Sequence, residues 1–342
     1  RRARPVLLIL DEIQKVRGWS EAAKALSEED RASRRAVRVL LLGSSALLVR
    51  KGLAESLAGR FLLHFSPHWT FGECAEAFGW SLDRWIYFGG YPGAARLARR
   101  PEEWRRYVAD ALVETAIARD VLQMETVAKP ALLRQVFGLA AARPAEILSY
   151  NKMMGTLQDA GNTTTLAHYL RLLESAFLVS GLEQTSPFIR RRGSTPKLVV
   201  WNNALAAALS GLSFEEARRD GAVWGRWVEN AAGAHLLNHL PRPRFDVGYW
   251  RERDAEVDYV VRAGRKMLGL EVKSGRPERR AGLDAFRRRF PGAGVRIVGR
   301  GGISLEDFFR RNPIELFSPS NVGEIRKAWF KASTRSAESV PT

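Results

Sequence analysis

The sequence predicts a mixed α/β protein. Three observations carry that expectation: near the N-terminus, short and wholly apolar runs alternate with stretches of helical composition; residues 100–200 are mostly helical; and beyond residue 205 four strand-like segments follow one long helical segment. Strands separated by helices imply βαβ units. A chain of 342 residues is long enough for about two or three domains. With 46% hydrophobic and 27% charged residues it has a globular balance, which excludes a disordered, collagen-like or coiled-coil protein.

Val6 to Leu10 and Val37 to Leu42 read as strands buried on both faces, as in a parallel sheet, with a helix from Ser20 to Arg34 between them. Phe61 to Phe65 reads as a third strand, closed by Pro67. Pro101 starts a helix, with Glu102 and Glu103 at the positive end of its dipole. Leu132–Ala142 and Ala145–Asp159 read as helices broken at Pro144. Gly161 and Asn162 turn the chain, and Thr163 or Thr164 caps a helix whose stripe is Leu166, Tyr169, Leu170, Leu173 and Phe177. Phe188–Gly193 and Lys197–Trp201 suggest a β-ribbon. A helix from Ala222 to Leu240 ends at Pro241, and strands follow at Asp246–Arg251, Glu256–Val261, Leu268–Lys273 and Val295–Val298, with a helix from about Arg279 to Phe290. Arg96–Pro101 and Ser210–Gly221 read as linkers, and the tail after Lys331 as frayed. The domains expected are 1–98, 99–208 and 209–331, followed by the tail 332–342.

The net charge is +17, from 54 Lys+Arg against 37 Asp+Glu. Such a balance favours a polyanionic partner, DNA above all; the alternative is a solvated basic surface from an arginine-rich genome. The single cysteine, Cys74, excludes an internal disulfide and a multi-Cys zinc site. No apolar run reaches the ~18 residues of a membrane span and no signal peptide opens the chain, so a cytoplasmic protein with no membrane partner is expected.

Val6 to Leu10 runs into Asp11-Glu12, the pattern of a Walker B strand. There, Asp11 would hold Mg²⁺ and Glu12 would polarise the attacking water. Leu10-Asp11-Glu12-Ile13-Gln14, Leu42-Gly43-Ser44-Ser45-Ala46, Leu57-Ala58-Gly59-Arg60, Phe88-Gly89-Gly90-Tyr91-Pro92, Tyr169 to Glu174 and Trp227-Val228-Glu229-Asn230 together resemble the prokaryotic AAA-type ATP-binding proteins whose C-terminal half is a nuclease-like domain of unknown function. The resemblance implies an AAA-type parallel sheet, a sensor role for Ser44 or Ser45 near the γ-phosphate, and an arginine finger at Arg60. The plainer alternatives are a helix cap at Ser44-Ser45 and a surface charge at Arg60. Pro67-His68-Trp69-Thr70-Phe71 matches the family loosely.

The family's Gly-rich P-loop, ending Gly-Lys-Ser/Thr, does not occur in these residues. Its backbone N–H groups and lysine cradle the phosphates. The reading is therefore an incomplete P-loop sheet, from a fragment or a truncated gene product. Its apolar strand edges would be open, and the chain alone should not bind ATP tightly. A homo-oligomer is expected if the full ATPase core is present.

Ile147 to Glu174 followed by a ribbon resembles a winged helix-turn-helix. Its second helix would present Thr163, Thr164, Thr165, His168 and Arg171, and its wing Arg190, Arg191 and Arg192, to DNA. The alternative is a lid or a protein contact.

In the C-terminal region, residues two apart on a strand share a face, so Glu256 pairs with Asp258 and Glu271 with Lys273. A type II′ turn at Gly264-Arg265 sets Asp258 opposite Glu271 and Glu256 opposite Lys273, with Cβ atoms about 4.5–5.5 Å apart. Opposed carboxylates repel unless a cation sits between them, and Mg²⁺ is the natural candidate. This is the Asp…Glu-x-Lys order of the restriction-endonuclease-like (PD-(D/E)xK-type) fold, in which metals lower the pKa of the attacking water. Glu229 on the preceding helix matches the extra acid of such domains. Asp258, Glu271 and Glu229 are thus the expected metal ligands, and Lys273 the residue that orients water. The competing expectation is a non-catalytic interaction or regulatory module with a solvated charged hairpin. His235 and His239 stand i, i+4 without a third ligand spaced to join them.

Overall fold

The computed structural model describes residues 6–33, 37–43, 57–122, 127–186, 195–275 and 281–317, in a mixed α/β arrangement. Strands β1 (Val6–Leu10) and β2 (Val37–Leu41) pair in parallel, Val6 opposite Val37 and Leu10 opposite Leu41, across helix α1 (Trp19–Ala32). A parallel pair needs such a crossover. The burial expected on both faces is absent: Val6, Leu7 and Ile9 are 57%, 59% and 53% exposed. Among the described residues only a small cluster of Ile13, Trp19 and Leu57, with Leu10, Ala23 and Leu41, packs here. The expected strand Phe61–Phe65 is irregular chain instead. Phe65 turns its ring onto Phe177 and Trp201, at centroid distances of 4.9 and 6.2 Å, rather than into a ladder.

Helix α2 (Phe71–Phe78) opens with a Thr70/Glu73 capping box, and Ser81 caps α3 (Leu82–Phe88). After α4 (Pro92–Ala95), α5 (Pro101–Arg106) starts at its proline and continues in the wider π geometry to Val121. Helix α6 (Pro130–Ala142) follows. The next helix is shorter than the sequence suggests: α7 spans Tyr150–Thr156, because Ile147 bridges to Lys197 and Leu148 N–H donates to Pro196 O. Helix α8 (Thr163–Ser175) is capped by Asn162 rather than by a threonine, its side chain accepting from Thr165 N–H at 2.8 Å.

Strands β3 (Val179–Leu182) and β4 (Lys197–Val200) pair antiparallel, and β4 is buried throughout. The other half of the expected ribbon, Phe188–Gly193, lies outside the described residues. After α9 (Asn203–Leu209), the supposed linker holds helix α10 (Phe214–Arg219), set by a Ser213/Glu216 capping box. Phe214 packs against Tyr87, Phe88 and Trp224.

Helix α11 (Gly221–His239) precedes a four-stranded sheet in the order β5 (Phe245–Glu252), β6 (Ala255–Ala263), β7 (Lys266–Lys273), β8 (Gly294–Gly299). The first two pairings are antiparallel; β7 and β8 are parallel and joined through α12 (Ala281–Arg289). The β6–β7 turn is the expected Gly264-Arg265, with positive φ on Gly264 alone of the pair, as a type II′ turn requires. Helix α13 (Leu305–Arg310) closes the described fold before a short 3₁₀ turn at Pro313–Phe317. One apolar core runs from Phe71 to Phe309 and takes in α11 and one face of the sheet. A second, formed by Trp250, Val257, Val260, Leu283, Phe286 and Phe290, lies beneath α12 on the other face.

Candidate functional site

The sheet and α11 bring four of the residues singled out above into one pocket. Ladder pairing between β6 and β7 ends at Tyr259 opposite Leu270. Beyond it, the Asp258 carboxylate takes over the backbone's role and accepts from Val272 N–H at 2.7 Å. Asp258 therefore stands beside Glu271, as the turn register implies. On β7, Lys273 Nζ lies 2.8 Å from Glu271 Oε1. Glu229 reaches in from α11, and its backbone carbonyl accepts from the Tyr259 hydroxyl at 2.8 Å.

The expected Glu256–Lys273 pair does not form. With the ladder ended, β6 follows β5, and Glu256 lies 4.0 Å from Arg251 on that strand and 3.8 Å from Lys197.

Lys197, at the head of β4, is the residue the sequence reading missed. Its side chain is 0% exposed, and its ammonium lies 2.6 Å from Glu229, 3.8 Å from Glu256 and 3.9 Å from Asp258. It also donates to Asp258 O at 3.1 Å and sits 4.8 Å from the Tyr259 ring centroid. One signal was legible: a lysine heading the apolar run Leu198-Val199-Val200 cannot be buried without carboxylate partners. Which acids supply them depends on tertiary packing.

Burial alone would lower the Lys197 ammonium, but Glu229, Asp258 and Glu256 together raise it above its ordinary value, so it stays charged. Burial raises Glu229 against the pull of Lys197. Glu271 is raised to about 7, by burial first and the Asp258 charge second, against Lys273. Its Oε2 is buried and has no hydrogen-bond partner. Among the described residues, no group of three or more His, Cys, Asp or Glu is placed to hold a metal ion. The carboxylates converge on an ammonium instead, and as arranged they do not fit the divalent ion expected for them.

The other expected site residues lie apart from this pocket. Asp11 is exposed at the end of β1, where its Oδ1 accepts from Glu12 N–H at 2.8 Å. Glu12 is in the left-handed region with φ 52° and pairs with Lys15 at 3.2 Å. Arg60 does not face these acids; it pairs with Glu28 of α1 at 3.3 Å. Ser44 and Ser45 lie outside the described residues. On α8, Thr164 and Arg171 are exposed and His168 is half-buried, while the Thr164 hydroxyl donates to Asn162 at 2.6 Å. Arg190, Arg191 and Arg192 lie outside the described residues.

The fold also gives His235 and His239 a third neighbour: His68 joins them around a small cavity with Asn202 and Asn238. Burial pushes His68 down to about 4 and His235 down to about 3. Their N–H groups donate to the carbonyls of Trp201 and Arg311, so they sit there as neutral rings.

Residues 1–75 match the model of an AAA domain, 79–216 that of a domain of unknown function, DUF8612, and 224–307 that of another, DUF4143. The N-terminal end is thus similar to an AAA-type domain, and Glu229, Asp258, Glu271 and Lys273 all fall within the third match. No curated protein matches the chain. A crystal structure of protein VC1899 from Vibrio cholerae is similar at 14% identity over 92% of this chain and 80% of that one, with a TM-score of 0.19, too low to argue from.

Proposed function

We propose that this is a DNA-associated protein of the AAA ATPase type whose C-terminal α/β unit is a nuclease-like module that binds the phosphate backbone. The observation that carries the reading is the convergence of Asp258, Glu271 and Lys273 at one end of β6 and β7, with Glu229 beside them. The AAA match over residues 1–75 and the +17 charge support it. The two lysines of the pocket play different parts. Lys197 is sealed, whereas Lys273 is 24% exposed and can meet a phosphate. Thr164, His168 and Arg171 on α8, with the arginines at 190–192, supply a second contact with DNA. Asp11 and Glu12 would serve nucleotide and Mg²⁺ in the AAA part, as such domains generally do. No hydrolytic step is assigned to the C-terminal pocket, since its acids are already engaged.

A second reading, phosphodiester hydrolysis, is favoured by Glu271, which at about 7 can exchange a proton at neutral pH. Incubation of supercoiled plasmid with the protein and Mg²⁺ separates the two. The first reading expects retarded, intact plasmid. Nicking that disappears in both Asp258→Ala and Lys273→Ala would establish the second, and failure to retard any DNA at low salt would defeat both.

A further inference from the structure

We infer that Lys197 is the built-in cation of the C-terminal pocket, its ammonium neutralising Glu229, Asp258 and Glu256 in place of a divalent ion, so that the pocket takes no metal while Lys197 is there. The inference does not depend on DNA binding.

Geometry carries it. The ammonium has three donors. Glu229 at 2.6 Å and the Asp258 carbonyl at 3.1 Å account for two, while Glu256 and Asp258 oxygens at 3.8 and 3.9 Å share the remaining field. The Tyr259 ring covers the head group from another side. A divalent ion would need several of these oxygens at about 2.0–2.6 Å, in volume the ammonium already fills. Nor does the lysine reach water: its side chain is 0% exposed, on a strand held along both edges. Strand β4 is hydrogen-bonded to β3 along one edge, and Leu198 exchanges bonds with Ala145 and Glu146 on the other. Among the described residues, the other charges facing the pocket are Arg251 on β5, Lys273 and Glu271 on β7, and Arg226 on α11, whose field reaches Glu229. None of them lies between Glu229 and Asp258 as Lys197 does. Removing the ammonium would leave three partly exposed carboxylates around the volume it filled, a set of oxygen donors that a divalent cation can take.

Calorimetric titration of the whole chain with MnCl₂ tests this, with thermal melts alongside. The wild type and Asp258→Asn should give the same Mn²⁺ isotherm, since any Mn²⁺ they bind sits elsewhere. Lys197→Met should melt roughly 5–10 °C lower, regain part of that loss in millimolar Mn²⁺, and acquire a Mn²⁺ site that the double variant with Asp258→Asn lacks. If Lys197→Met does not fold, Lys197→Gln, which keeps hydrogen-bond donors, takes its place. A wild-type Mn²⁺ site that Asp258→Asn abolishes would overturn the inference. So would a folded neutral variant whose melting ignores Mn²⁺. Plasmid retardation, measured separately, speaks to the functional reading and not to this one.

Discussion

Glu271 shows how one side chain can set a pH dependence. Its carboxyl is held at about 7, against an ordinary 4.5, chiefly by burial. Between these values the folded chain binds a proton that the unfolded chain has lost. The stability due to this group is therefore complete below about 4.5 and is lost as pH rises through about 7, by no more than ~3 kcal/mol. Urea midpoints measured from pH 5 to 8 in both proteins, whose histidines act alike, should fall with pH in the wild type relative to Glu271→Gln. Midpoints with the same slope in both proteins would remove Glu271 from the account. The buried histidines act with the opposite sign. His68 and His235, lowered to about 4 and 3 by burial, lend stability that is complete above about 6.5 and lost as pH falls toward those values. Asp258, Glu271 and Lys273 were legible from strand alternation and a hairpin turn, and Glu229 from the resemblance. Lys197 was not, because its partners are 32, 59 and 61 positions away in sequence (229, 256 and 258 against 197). The Glu256 partner was misread because alternation gives faces but does not say where a ladder stops.

At the scale of elements, α11 approaches β6 closely at Gly233. A Cβ at Gly233 would lie 2.5 Å from the Tyr259 hydroxyl and 2.7 Å from two of its ring carbons. Gly233→Ala must therefore push the ring off Lys197 and strain its hydrogen bond to Glu229. Such overpacking costs roughly 1–3 kcal/mol, and the thermal midpoint should drop accordingly, with Tyr259→Phe/Gly233→Ala no better since the ring remains. An unchanged midpoint would mean that the helix can shift freely on the sheet. The elements of this region were the most legible of all: the long helix, four strands and the crossover helix follow from apolar alternation and punctuation by Pro241 and Gly264. Elsewhere, local signals misled. Phe61–Phe65 has strand composition, but its aromatic end finds ring partners instead of a neighbouring strand. The capping box at Ser213 and Glu216 was in the sequence, and it outweighed the polar composition that suggested a linker.

For the molecule as a whole, charge is the feature that composition alone made legible. With +17 and a phosphate-binding role, affinity for a labelled duplex should fall steeply with salt. In fluorescence anisotropy, replacing exposed Arg171 by Ala should reduce the log–log slope by about 0.9 for each phosphate that Arg171 neutralises. A slope identical to wild type would take α8 out of the proposed DNA surface. Architecture was legible as mixed α/β, but the way one core threads from Phe71 to Phe309 was not, because aromatic partners such as Tyr87 and Trp227, 5.7 Å apart between centroids, lie far apart along the chain. The uncovered leucines and valines of β1 and β2 have a practical consequence for anyone handling these residues. Fluorescent probes that brighten in oily surroundings will light up on the native fold, while its near-ultraviolet dichroism stays sharp. The glow that ordinarily signals a loosened, half-melted chain will here report a well-packed one.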